Sequence, residues 1–516
     1  MTDATPQTRP TRLVCKAAAT AVVILVAETI FAMNSEIGGV LGGLALVWLA
    51  ALLVCRRIVV RHRASVIAAT AAAAFALVLI DDPNPLALLL FGIAISLAAL
   101  LPRRRFGHAL LWLRPLFWHG LVSIGLPWRD AAWAMAARRR RAQRSGIHTT
   151  AAVLIVPLVG GALFLGLFAS ANPLIGTVFA GIVPEDVLTV IWRMVLALAV
   201  LIAVWASLRP RAVATVDGAP SEPRLDTRFD LTVTTLVLSL ATFNAVFALQ
   251  NVLDVVFLWS GAPLPAGVTM ADYAHRGAYA LIVTALLAAL FVLVTLRPGS
   301  AGAASPAVRR LVTLWIVQNL LLVASSALRL VDYIEAYSLT TLRIAALAWM
   351  ALVATGLGLI LWRLLKGRSA GWLINANTLA ATLVLSVASV IDLGATAAAW
   401  NARMALRLGR AGPPLDLCYL GSLGPSGLVA LATLERHARS PILKERLSYL
   451  RWRAQDDVVQ MQQDWRSWTP RNARRMAQVE ALVGIRAPAL REDVREERHC
   501  DGRPITAAPL TKGPQR

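Results

Sequence analysis

The chain has 516 residues, of which 57% are hydrophobic and only 16% are charged, and its mean hydropathy is +0.63. Soluble globular proteins are about 45–50% apolar and about 25% charged, so this composition indicates a membrane protein. It excludes disordered, collagen-like and disulfide-rich miniprotein classes. The net charge is +22. Arginines that collect on the cytoplasmic face of a membrane protein, beside anionic lipid, explain this excess without any nucleic-acid partner.

Apolar runs predict about eleven transmembrane helices. Each run is rich in Leu, Ala and Val on all sides, which is typical of helices rather than barrel strands, and a crossing needs about 20 such residues. The first run lacks a convincing cleavage site, so we interpret it as a retained span rather than a signal peptide. The predicted spans are Ala17–Met33, Ile37–Val54, Ser65–Ile80, Leu86–Leu101, Thr149–Ala169, Val187–Leu208, Leu231–Leu253, Ala278–Leu296, Leu311–Val331, Leu342–Trp362 and Leu373–Ile391.

The arginines determine the predicted orientation. With the N-terminus inside, the basic residues that precede Leu393 lie almost entirely in inside segments, as the positive-inside rule requires. The exceptions are Arg193, Arg276, Arg329 and Arg343. Eleven spans then leave the C-terminal tail outside. The expected location is a bacterial inner membrane, crossed many times, with a cytoplasmic N-terminus and an extracytoplasmic C-terminus.

This map divides the chain into four segments. They are a four-helix membrane segment (1–101), a basic cytoplasmic or interfacial segment (102–148), a seven-helix membrane domain (149–392) and a polar, partly helical tail (393–516). The end of the tail, from Ala487, has the composition of a disordered segment. The fold class is therefore an all-α polytopic membrane bundle with a polar tail.

The basic segment contains an apolar stretch, Ala109–Trp128, that carries Arg114 and His119. Counting it as a span would invert every later loop, so we predict an interfacial amphipathic helix on the inner leaflet. The following cluster, Arg138–Arg144, is then expected to contact anionic headgroups. The alternative is a charge cluster that only stops translocation.

Polar side chains gather from the seventh span onward. Asn244, Asn251 and Asp254 are spaced to share one helical face, and so are Gln318, Arg329 and Asp332 in the ninth span. A charge near hydrocarbon either pairs or faces water, so we predict one outward-facing polar cluster. Its predicted members are Asn251, Asp254, Asp272, His275, Arg276, Arg329, Asp332 and Arg343. The alternative is that these groups only join helices to one another.

Motifs of catalysis, nucleotide binding and metal binding are missing from the sequence, so no catalytic residue, cofactor or metal site is predicted. The stretch Gly424–Gly427 reads G-x-S-G, but it lies in a polar turn where we interpret Ser426 as a helix cap rather than a nucleophile. The cysteines contain no Cys-x-x-Cys pair. An outside tail would allow Cys418 and Cys500 to form a disulfide, and two free thiols are the alternative.

Several stretches resemble a bacterial membrane family catalogued as domain of unknown function 4173, over about residues 150–440. They are FNAVFALQNVLDVVFLW, ADYAHRGAYALIVTALLAALFVL, QNLLLVASSALRL, LTTLRIAALAWM, WLINAN, WNARMALRL and LDLCYLGSLGPSGL. The resemblance implies a polytopic membrane protein. It assigns no activity and no role to any residue.

Three functional hypotheses follow. The leading one is a non-enzymatic membrane protein, a sensor or envelope assembly factor, that binds a small polar ligand or an envelope protein through its polar cluster and tail. The second is a transporter of a small polar or charged solute, although the seventh and ninth spans lack the Gly or Pro interruptions of broken helices. The third is a membrane enzyme that acts on lipid-linked substrates, with Asp254 or His275 as base.

Overall fold

The computed structural model describes residues 9–31, 37–103, 107–141, 161, 187–210, 232–256, 305–409, 412–484 and 498–505. In these residues the secondary structure is helical, apart from an isolated β-bridge between Arg498 and Pro504. A helix satisfies its own backbone hydrogen bonds, as a segment surrounded by hydrocarbon must. The all-helical class predicted from the sequence is confirmed.

The chain divides into two compact units. Unit 1 is Met1–Asp217 with Met461–Arg471, and unit 2 is Gly218–Gln460 with Asn472–Arg516. The helices before residue 218 are α1 (Arg9–Ile30), α2 (Val40–Cys55), α3 (Ile58–Arg61), α4 (Arg63–Asp81), α5 (Pro85–Leu100), α6 (Leu110–Ser123), α7 (Leu126–Arg141) and α8 (Val187–Leu208).

The helices after residue 218 begin with four long apolar ones and continue into the tail. They are α9 (Val233–Asp254), α10 (Pro306–Tyr337), α11 (Thr341–Lys366), α12 (Ala370–Val390), α13 (Leu393–Leu408), α14 (Leu417–Ser422), α15 (Leu428–His437), α16 (Pro441–Gln463) and α17 (Pro470–Val483).

Among the described residues, seven helices are long and apolar enough to cross a membrane: α1, α4, α5, α9, α10, α11 and α12. Helix α2 and the part of α8 from Trp192 are apolar but shorter. The predicted spans at 149–169 and 278–296 lie outside the described residues. The predicted count of about eleven is therefore not confirmed, although each prediction on described residues coincides with a helix.

Local sequence explains where these helices begin and end. Helix α5 begins with Pro85 after Asn84, whose side chain accepts a hydrogen bond from the amide of Ala87 at 2.8 Å. Helix α11 ends at Gly367, whose φ of +62° suits glycine, after Lys366 in its last turn. In unit 1, α2 and α4 approach closely at Gly42, where a Cβ would lie 2.4 Å from the carbonyl oxygen of Ala76.

The predicted interfacial helix Ala109–Trp128 differs from the structure in one respect. The stretch forms two helices, α6 and α7, that are separated at Ile124 and Gly125. Helix α6 packs against α5 and α8, and it buries His119 while leaving Phe117 exposed. The prediction of one helix over this stretch was therefore wrong, and its place at the inner leaflet stays a prediction. The side chains of Arg138–Arg144 lie outside the described residues.

The tail forms a helical domain with its own hydrophobic core. Buried leucines from α14, α15 and α16 meet Val479 of α17. Arg451, only 1% exposed, donates to Glu435, which also accepts from the hydroxyl of Ser448 at 2.9 Å. A buried charge requires such a partner. The tail thus has more tertiary structure than its polar composition predicts.

Candidate functional site

Helices α9 and α10 carry a polar seam between two apolar surfaces. The amide of Asn244 donates to the carbonyl oxygen of Leu311 at 3.1 Å, and Gln318 donates to the side chain of Asn244 at 2.8 Å. Further along, Asn251 donates to the carbonyl oxygen of Gln318 at 3.4 Å. Because residue numbers rise together on both helices, the two helices run parallel.

The seam ends in an ion pair between Asp254 and Arg329. Their side chains are 1% and 8% exposed. One oxygen of Asp254 accepts from Arg329 and also from Gln250 at 2.9 Å. The second oxygen, Oδ2, is buried and has no hydrogen-bond partner among the described residues. Pairing is what permits two charges at this depth, since a single intramembrane charge is costly.

The other predicted members of the polar cluster are not part of the Asp254–Arg329 ion pair. Arg343 donates to the carbonyl oxygens of Tyr337 and Ser338 and lies 4.4 Å from the ring centre of Tyr333, so it stabilises the α10–α11 turn. Asp332 is half-buried, one turn beyond Arg329. The remaining predicted members, Asp272, His275 and Arg276, lie outside the described residues. Convergence of all eight residues in one cleft stays a prediction.

A second polar site lies where α12 meets the tail. Asp392 caps α13 by accepting from the amide of Ala395 at 2.9 Å. Its other oxygen accepts from the hydroxyl of Ser426 at 3.0 Å and from the guanidinium of Arg475. Arg475 also donates to Ser426 at 3.3 Å. We call Asp392, Ser426 and Arg475 the tail junction.

The interpretation of Ser426 as a helix cap was wrong. The residue that begins α15 is Gly427, with no side-chain cap, and the hydroxyl of Ser426 points to Asp392 instead. A hydrogen bond from the hydroxyl to a charged carboxylate is stronger than the capping bond that the same hydroxyl would accept from a backbone amide. Asp392 therefore accepts hydrogen bonds from Ser426 and Arg475 at the same oxygen.

Beside the tail junction is a cavity of about 310 Å³. Helix α13 contributes three alanines and Arg403 to its lining, α15 contributes two apolar residues and a threonine, and α17 contributes two polar residues. The lining residues are Ala395, Ala399, Ala402, Arg403, Ser426, Val429, Ala430, Thr433, Arg475 and Gln478. Arg403 is exposed, and among the described residues its side chain donates to the carbonyl oxygen of Ala399 at 3.2 Å and to no carboxylate, so its charge is available to an anionic group.

Within unit 1, the hairpin between α16 and α17 lies on the turns that follow α1 and α4. The amide of Gly38 donates to the carbonyl oxygen of Arg466 at 2.7 Å, and Arg471 donates to Asp81 at 3.1 Å and to Asp82 at 2.7 Å. A Cβ on Gly38 would lie 2.3 Å from the carbonyl carbon of Ser467. We call this contact the tail clamp.

The tail contains a disulfide between Cys418 and Cys500, 82 residues apart in sequence. Near it, Arg446 donates to Asp501 at 2.7 Å. Residues 498–505 are thus held in place, which differs from the disorder predicted for the end of the tail. Cys15 and Cys55 are free. Of the two alternatives left open for Cys418 and Cys500, the structure contains the bridge.

In the described part of the chain, no three His, Cys, Asp or Glu side chains are grouped so as to hold a metal ion. The tail junction and the polar seam could be found only in part from sequence. Helical spacing marks the seam, whereas Asp392 and Arg475 are 83 residues apart and belong to no local motif.

The apolar helices and their buried polar contacts are those of an integral membrane protein. The chain belongs to the family described as Domain of unknown function (DUF4153), whose sequence profile matches residues 64–434. The number 4173 given by the resemblance was wrong, and the match begins earlier than the resemblance suggested. No curated protein and no solved structure matches the chain.

Proposed function

We propose that this integral membrane protein works without catalysis, as a sensor or envelope assembly factor that binds an acidic group of its partner or ligand at the tail cavity. The observation that carries the proposal is the cavity itself. Its wall holds the exposed guanidinium of Arg403 beside the fixed tail junction. Concave sites with few convergent polar groups are the usual place for recognition.

The polar seam supports a structural role for the membrane helices. Asn244, Asn251 and Gln318 use their amide groups in bonds between α9 and α10. Such bonds join helices in hydrocarbon. We therefore assign the ligand to the tail, and the membrane helices hold the tail in position.

The expected topology is consistent with this assignment. The tail clamp contacts the turns after α1 and α4, which the arginine distribution places outside. The Cys418–Cys500 disulfide is typical of an oxidising compartment. Parallel packing of α9 and α10 fits two spans that cross in the same direction. We propose that the tail faces the extracytoplasmic side of an inner membrane.

A photo-crosslinking amino acid placed at Ala399 in the cavity tests the proposal in intact cells. We expect a discrete adduct from Ala399 and none from the same amino acid placed at Arg407, which is exposed on the same helix but outside the cavity. Arg403→Glu should abolish the adduct and Arg407→Glu should not. Equal adducts at both positions, or an adduct that survives Arg403→Glu, would contradict the proposal.

A transporter is the second candidate, and one observation favours it. The Oδ2 atom of Asp254 is buried without a partner among the described residues, as a coupling carboxylate can be. Solute-driven current in proteoliposomes that disappears in Asp254→Asn would support this function. The same current in Arg403→Glu would separate it from the leading proposal.

A further inference from the structure

Four basic side chains gather at one end of unit 1. Arg56 follows α2, Arg103 ends the short turn after α5, Arg209 follows α8, and Lys16 lies in α1. We call them the basic cluster. They come from four separate places in the sequence, and none belongs to the predicted headgroup segment 138–144.

Backbone carbonyls hold two of these guanidinium groups in place. Arg56 donates through Nη1 to the carbonyl oxygens of Ala99, at 2.7 Å, and Ser207, at 3.3 Å. Arg103 donates through Nη1 to the carbonyl oxygen of Pro210. Both arginines are therefore anchored beside the end of α8. Carbonyl oxygens fix the position of a guanidinium without neutralising its charge.

The cluster has more positive than negative charge. Among the described residues, the carboxylate paired with it is Asp130, which lies 3.2 Å from Arg209. Asp130 also accepts from the indole of Trp205 at 3.0 Å. Arg56 and Arg103 pair with no carboxylate in the described part of the chain, and Lys16 lies within electrostatic range of Arg56, Arg103 and Arg209.

The positive charge of Arg56 lies in a buried position, where a charge normally has a partner of opposite sign. Arg56 is only 7% exposed. Burial lowers the pKa of its guanidinium to about 10, and the charge of Arg103 acts in the same direction. Arg56 and Arg103 bond to the described residues through Nη1, so with respect to these residues Nη2 and Nε of each remain for a ligand. Buried charges in proteins are normally paired.

We propose that the basic cluster binds a phosphate oxyanion between Arg56 and Arg103. Arginine binds phosphate with two parallel hydrogen bonds, and fixed guanidiniums lose little entropy when they do so. The arginine distribution places this end of unit 1 on the cytoplasmic face, where anionic lipid is abundant. The phosphate can come from a lipid headgroup or from a free phosphate ion, and the experiment distinguishes these two sources.

Native mass spectrometry of the purified full chain tests the site, with phosphatidylglycerol, phosphatidylcholine and inorganic phosphate as probes. We expect retention of phosphatidylglycerol at concentrations where phosphatidylcholine is lost. Arg103→Gln, at an exposed position, should weaken retention about fivefold, as expected for about 1 kcal/mol per charge near a membrane surface. Arg56→Gln should weaken it at least as much.

Arg61→Gln is the matched control. Arg61 is exposed at the end of α3 and forms no ion pair with the residues that the structure describes, so its loss should change retention less than twofold. If inorganic phosphate is retained and displaces the lipid, the ligand is the free ion. If only the lipid is retained, the ligand is the lipid headgroup. Equal retention of both lipids, or equal losses in Arg61→Gln and Arg103→Gln, would overturn the proposal.

Discussion

The ion pair between Asp254 and Arg329 allows a quantitative test of the membrane helices. Arg329→Met removes the cation and leaves Asp254 buried, with Gln250 as its remaining donor among the described residues. Both side chains are less than a tenth exposed, so the value for breaking a buried pair, about 3–5 kcal/mol, applies rather than the 0–1 kcal/mol of an exposed pair. Taking about 3 kcal/mol and an unfolding entropy of about 2.1 cal/mol/K per residue, we expect Tm to fall by about 5 °C if unit 2 unfolds alone and by about 3 °C if the whole chain unfolds together.

Thermal unfolding in detergent, followed by the fraction of monodisperse protein, measures this change. Arg310→Met is the control, because Arg310 is exposed on the same helix and forms no ion pair with a described residue. It should shift Tm by no more than about 1 °C, the value for about 0.5 kcal/mol. The double variant Asp254→Leu with Arg329→Met should recover most of the loss, since it leaves no charge unpaired. A double variant as unstable as Arg329→Met, or equal shifts in Arg329→Met and Arg310→Met, would refute the reasoning.

Two further predictions concern unit 1. Arg471→Ala removes both contacts to Asp81 and Asp82 and should destabilise the tail clamp by about 1–2 kcal/mol. Proteolysis of residues 461–471 should therefore become faster. The control Arg453→Ala, on an exposed part of α16, should not change the rate of proteolysis. Burial lowers the pKa of His119 to about 4, with the charge of Arg56 acting in the same direction, so the unfolded chain binds a proton that the folded chain does not. The free energy of unfolding should therefore fall by about 3 kcal/mol as the pH drops from about 6.5 to about 4. If a His119→Asn variant shows the same pH dependence of Tm, His119 is not the residue responsible.

The membrane helices could be predicted because hydrophobicity acts locally. Val187–Leu208 has the predicted bounds, and the seventh predicted span differs from α9 by no more than two residues at either end. Helical spacing also placed Asp254 and Arg329 on facing stripes. The same spacing could not place Arg343, because its guanidinium binds the free carbonyl oxygens at the end of α10, which no sequence pattern marks.

The tail could not be predicted in the same way. Its contacts join residues that are far apart in sequence, such as Asp392 with Arg475 and Cys418 with Cys500. Polar composition indicates only that the segment lies outside hydrocarbon. The buried pair of Glu435 and Arg451 depends on the packing of α15 against α16, and no periodic pattern specifies which charge takes an interior position.

We propose that the folded, disulfide-linked tail faces the extracytoplasmic side. Labelling of Cys418 and Cys500 in sealed right-side-out vesicles tests this placement, in a variant whose free cysteines, Cys15 and Cys55, are replaced by serine. A membrane-impermeant maleimide should fail to label the variant until a membrane-impermeant reductant is added, and should then label both residues. Labelling without reductant would contradict the disulfide, and labelling that requires detergent would contradict the extracytoplasmic tail.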